Sequence, residues 1–134
     1  MTADLSPALG ILRGALPGLA GTYLFGSAAD GSARADSDVD LAVYAGPPID
    51  RARLLDLQEA LAKALSRDVD LIDLAAASTI LQVQAIGEGR LVDAPDPQAA
   101  ALFELRVMRD YQELKARRAD HEADILRTGR VYAG

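Results

Sequence analysis

Cysteine is absent from all 134 residues. Neither a disulfide nor a thiolate metal site can form, so any metal has to be held by oxygen, which favours magnesium or manganese over zinc. Histidine occurs once. That residue, His121, sits among Arg117, Arg118, Asp120 and Glu122, the setting of a solvated helix face rather than of a general base. Long apolar runs are missing as well: no segment approaches about 18 uninterrupted apolar residues. With no basic stretch ahead of an apolar one near Met1, the chain is predicted to be soluble and cytoplasmic, without a membrane span. Positive charge is in short supply, 14 Lys and Arg against 20 Asp and Glu for a net charge of −6. Direct nucleic-acid binding depends on lysine and arginine meeting phosphates, and is not expected. An acidic chain is better matched to a basic protein partner. Internal repeats, low-complexity runs and linkers are also absent, so the length reads as one domain.

Half of the residues are apolar, enough for a core without staples, and their spacing predicts the elements. Leu9, Leu12 and Leu16 recur at near-helical spacing after Ser6-Pro7, read as N-cap and first helical residue, and the helix stops at Pro17-Gly18. Thr22 to Phe25 and Asp38 to Tyr44 read as strands, the second ended by Gly46-Pro47-Pro48. Arg51 to Leu65 reads as a helix with Leu54, Leu55, Leu57, Leu61 and Leu65 largely on one face. A strand over Asp68 to Leu74, a short helix over Thr79 to Ile86 and a brief strand over Arg90 to Val92 come next. From an Asp96-Pro97 cap pair, one helix runs to about Arg127. Leu102, Leu105, Met108, Tyr111 and Leu114 are expected to dock it on the domain, and its polar distal half is solvated or meets a partner. This order predicts an α/β (α+β) domain, a small mixed sheet flanked by helices. Residues 1–95 form the core and 96–128 a C-terminal helix that contacts a partner.

The chemistry is concentrated in Gly26-Ser27 and, ten residues on, Asp38-Val39-Asp40, the pattern Gly-Ser-x10-Asp-x-Asp. Two carboxylates one residue apart on a strand project from the same face. A Gly-Ser pair ending the preceding strand offers an open backbone, a hydroxyl and N–H groups for a phosphate. Nucleotidyl and phosphoryl transfer need clustered carboxylates, because divalent ions must offset charge on a triphosphate and on the attacking oxygen. Asp70, mid-strand between Val69 and Leu71, is the best third carboxylate. Asp68 lies at the strand mouth, and Asp73 has the opposite parity. An aspartate in an apolar run is disfavoured unless paired or metal-bound.

Leu24-Phe25-Gly26-Ser27 and Ser37-Asp38-Val39-Asp40-Leu41-Ala42-Val43 resemble, residue for residue, the hallmark of the minimal nucleotidyltransferase (MNT) family, small members of the polymerase-β-like superfamily. The likeness covers nearly the whole chain, including the Asp70 strand and the long last helix with Arg109-Asp110-Tyr111. It is strongest to the adenylyltransferase antitoxins of HEPN/MNT toxin–antitoxin pairs. The resemblance implies a polymerase-β-like fold and transfer of AMP from ATP to a tyrosine of a HEPN-domain toxin. It implies also that Asp38, Asp40 and Asp70 are catalytic and hold magnesium, with two ions expected, while Gly26, Ser27 and Ser37 contact the nucleotide. Asp30 departs from the family, where arginine is common three residues after the Gly-Ser pair; Arg34 reads as a solvated loop arginine. Two alternatives stay open: an antitoxin that acts by occlusion alone, and a nucleotidyltransferase for a small molecule. The spacing Arg117-x3-His121 falls short of the Arg-x4-6-His motif of HEPN toxins, so the chain resembles the antitoxin and not its target.

Overall fold

In the computed structural model, which describes residues 4–26 and 38–128, the apolar segments pair and pack in the order that the sequence predicts. The elements are α1 (Ser6–Ala15), β1 (Gly21–Phe25), β2 (Val39–Tyr44), α2 (Arg51–Leu65), β3 (Val69–Asp73), a 3-10 turn (Leu74–Ala76), α3 (Thr79–Glu88), β4 (Arg90–Asp93) and α4 (Pro97–Thr128). The sheet is mixed, ordered β3-β2-β1-β4. β1 lies antiparallel to β2 and to β4, and β2 runs parallel to β3. No helix among the described residues is long and apolar enough to cross a membrane.

Side-chain caps fix the helix starts by accepting N–H groups that lack an intrahelical partner. Asp50 accepts from Arg53, Ser78 from Leu81 and Asp96 from Ala99. At α1 the expected cap, Ser6, is instead the first helical residue, and its N–H donates to Asp4 Oδ1 at 3.0 Å. α2 closes at Ser66, which takes the left-handed conformation at φ 53°.

Strand alternation divides the core in two. On one face Val39, Leu41 and Val43 of β2 meet Leu12 of α1, Leu57 and Leu61 of α2, and Val69 and Leu71 of β3. On the other face Tyr23 and Ala42 meet Leu74, Ala85 of α3, and Phe103 and Val107 of α4. Arg13 donates from Nε and Nη2 to both Asp93 oxygens, at 2.8 and 2.6 Å, tying α1 to β4. That bidentate hydrogen bond holds the Asp93 carboxyl below its usual range. The free edge of β3 is covered where Leu71 N–H donates to Gln58 Oε1 of α2 at 2.9 Å, which blunts an edge open to pairing with another chain.

α4 docks by a different stripe from the expected one. Ala100, Phe103 and Val107 are buried, with Phe103 stacked on Tyr44 at 3.9 Å between ring centroids. Tyr23 OH donates to Glu104 at 3.0 Å. Leu102, Leu105 and Met108 are 60%, 68% and 42% exposed. The helical repeat explains the correction. Steps of three residues turn about 300° on a 3.6-residue helix, so positions 102, 105, 108, 111 and 114 drift around the cylinder, while the 3-4 alternation of 100, 103 and 107 stays on one side. Tyr111 and Leu114, where the drift reaches the docked side, are half-buried. Leu55 of α2, also expected on the packed face, is 54% exposed for the same angular reason.

Thr22 is wholly buried in β1, and its Oγ1 has no hydrogen-bond partner among the described residues. A buried, unsatisfied hydroxyl costs about 1–3 kcal/mol. Thr22→Val keeps the shape and removes that cost, so urea unfolding should show a gain of about 1 kcal/mol; a loss of stability would contradict this account.

Candidate functional site

β1 ends at Phe25, whose partner across the antiparallel ladder is Asp40. On the other side of β2, Asp40 is paired with Asp70 of β3 in the parallel ladder. Paired residues of neighbouring strands share a face, and alternation puts Asp40 on the face of Ala42, the side covered by α3 and α4. Asp38 stands exposed just before β2, two residues from Asp40. The pairing expected from sequence is therefore present, and Asp70 is the residue that stands beside Asp40.

The electrostatics of this arrangement point one way. Partial burial raises the Asp40 carboxyl above its ordinary range, and the charges of Asp70 and then Asp38 push it further up. Like charges side by side on adjacent strands are destabilising, and all three influences disfavour the ionised form. Among the described residues no three carboxylate or histidine side chains close into a cation cluster. The donors nevertheless suit a hard divalent cation in kind: they are oxygens only, two of them on paired strands and the third just ahead of β2, carrying repulsion that such an ion relieves.

Gly26 completes the described site. Its φ of +74° lies in the left-handed region, which glycine adopts without steric cost. A Cβ there would collide with Asp40 Oδ2 and lie 3.3 Å from Asp40 Cγ. The sequence marks Gly26 for its open backbone toward a phosphate; its role in making room for the Asp40 carboxylate emerges only with the fold. A signal for the register was present, though: Asp-Val-Asp-Leu occurs at 38–41 and again at 68–71, and the parallel ladder sets Val39 beside Val69 and Leu41 beside Leu71.

The other candidates fall elsewhere. Asp68 is exposed, and its carbonyl accepts the Val39 N–H at 2.9 Å. Asp73 is buried and accepts the N–H groups of Ile49 and Ala75, at 2.7 and 3.1 Å, which pins the loop before α2 to the end of β3. His121 is exposed on α4. Ser27, Asp30, Arg34 and Ser37 lie outside the described residues.

Four similarities to known proteins bear on this geometry. A family model described as polymerase beta, nucleotidyltransferase matches residues 16–98. The protein adenylyltransferase MntA of Shewanella oneidensis is 39% identical over 116 residues, covering 87% of this chain and 83% of that protein. A chain of a toxin–antitoxin crystal structure with AMP-PNP superposes with a TM-score of 0.79 at 35% identity, covering 92% of this chain and 98% of that one. A chain from a complex of a tri-AMPylated Shewanella oneidensis HEPN toxin with an MNT antitoxin gives a TM-score of 0.69, also at 35% identity, over 88% of this chain and 92% of that one.

If Gly26 is required by the Asp40 carboxylate, the two positions are coupled. Gly26→Ala should cost more in the wild-type background than in Asp40→Ala, with a coupling energy of about 0.5–2 kcal/mol from urea unfolding of the double-mutant cycle. Additive costs would show that Gly26 acts independently of Asp40.

Proposed function

Since this chain belongs to the polymerase beta nucleotidyltransferase family, we propose that it is the antitoxin of a HEPN/MNT pair, transferring AMP from ATP to a tyrosine of its partner HEPN-domain toxin. The observation that carries this reading is the register pairing of Asp40 with Asp70 on one face, beside a glycine shaped around the Asp40 carboxylate. The 39% identical relative is itself a protein adenylyltransferase.

Asp38, Asp40 and Asp70 hold magnesium in this reading. The ion supplies charge neutralisation for the triphosphate and for the oxygens developing charge in the transition state. Gly26 brings open backbone to the phosphates, and Ser27 and Ser37 contact the nucleotide from the segment between the strands. The toxin tyrosine oxygen attacks the α-phosphorus in line. A new oxygen–phosphorus bond forms, the α–β phosphoanhydride breaks, and pyrophosphate carries away the bond electrons. Asp70, exposed at the sheet edge, takes the phenol proton.

Rigid placement is the contribution of the fold. Asp40 and Asp70 sit within strands whose opposite face is packed against α1 and α2, so neither main chain can withdraw from the other. An interaction made at the reacting phosphate changes rate more than binding.

Incubation of the protein with its HEPN toxin, labelled ATP and magnesium should label the toxin on tyrosine. Asp40→Asn should slow labelling by at least about 10²-fold, the scale of a lost electrostatic contact in a transition state. Absence of labelling, with ATP bound and the complex formed, would contradict transfer and leave occlusion as the mode of neutralisation.

A further inference from the structure

α4 presents an apolar stripe that its own domain does not use. Of the seven large hydrophobic side chains exposed among the described residues, Leu102, Leu105, Met108 and Leu126 belong to this helix. The first three lie within two turns, on the side opposite the docked Ala100, Phe103 and Val107. Beyond them every residue from 112 to 123 is exposed except the half-buried Leu114. Helical segments without tertiary support are marginal in water, and clustered exposed apolar side chains mark interaction sites.

We propose that the outer face of α4 around Leu102, Leu105 and Met108 is the surface on which the partner toxin seats, an inference that rests on the function proposed above. Two observations select this occupant. First, α4 packs on the same sheet face as Asp40 and Asp70, at its Tyr23, Ala42 and Tyr44 end, whereas α1 and α2 cover the other face. A partner on α4 is therefore on the side where its tyrosine has to meet the nucleotide. Second, three side chains contribute a few hundred Å² at most, well short of the about 1,000 Å² that a specific interface needs. Two copies meeting on this stripe alone fall below that area. An adenylyl acceptor must also reach the carboxylates, and contact from α4 across to them supplies the remainder. The spacing suits an apolar groove or helix face on the partner, entered by one helix face.

The test uses the full chain and its HEPN toxin. Leu102→Asp/Leu105→Asp should weaken the complex at least 100-fold by calorimetry and leave the melting temperature of the antitoxin and its affinity for ATP unchanged. Leu102→Ala/Leu105→Ala/Met108→Ala, which introduces no charge, should weaken it at least tenfold and covers the case in which aspartate perturbs the helix. Wild-type complex formation with unchanged affinity in both variants overturns the inference and leaves the proposed function standing. A wild-type dimer that the variants dissolve, with toxin affinity intact, assigns the face to a second copy and also overturns it. A wild-type chain that binds no toxin overturns both.

Discussion

The site depends on one unfavourable pairing: Asp40 beside Asp70 on adjacent parallel strands, with Asp38 two residues away. Strand register imposes it. Val39 on Val69 and Leu41 on Leu71 bury their side chains on the opposite face, and a slip of one residue would move those apolar side chains into the carboxylate face. Burial of the valines and leucines on one side thus enforces charge proximity on the other. Stability gained in the core offsets strain at the site, a common arrangement where function needs groups that repel one another.

The remaining structure serves this constraint. Gly26 turns the chain away at the end of β1 without filling the space of the Asp40 carboxylate. Asp73, with the opposite parity, works as a structural anchor for the backbone of Ile49 and Ala75. Three aspartates within a six-residue run, Asp68 to Asp73, therefore have three fates, set by strand parity and depth and not by residue type. α4 packs on the far end of the carboxylate-bearing face through Phe103, Val107 and the Tyr23–Glu104 hydrogen bond, and its outer side remains available to another molecule.

Much of this was legible in the sequence because local rules and tertiary packing agree. Strand order along the chain, the mixed sheet and the α4 cap follow from turn residues and from the Asp96-Pro97 pair, whereas the Asp50 and Ser78 caps of α2 and α3 emerge with the structure. Asp70 stood out in the sequence because a charged residue amid Val69, Leu71 and Ile72 is disfavoured in a strand unless paired or metal-bound, and the ladder sets it beside Asp40. The face of α4 was not: apolar residues recur at both three- and four-residue steps, and only packing decides which set is buried. The start of α1 lies one residue earlier than the Ser6 cap implied, because the Ser6 N–H finds its acceptor in Asp4 and Leu5 takes the cap position without a side-chain bond. The contact between Gly26 and Asp40 could not be read at all, since it joins residues fourteen apart in sequence across the β1–β2 ladder and depends on the positive φ of Gly26.

The central claim, that the Asp40–Asp70 pair is a repulsion relieved by a divalent cation with nucleotide, is tested most directly by thermal unfolding of wild type and Asp70→Asn. Without divalent ions the variant should melt above wild type, by a few tenths of a kcal/mol after allowing for solvent around partly exposed carboxylates. Magnesium with a non-hydrolysable ATP analogue should stabilise wild type far more than the variant, reversing the order. A variant that melts no higher than wild type without divalent ions, and is stabilised equally by magnesium and nucleotide, would contradict the account.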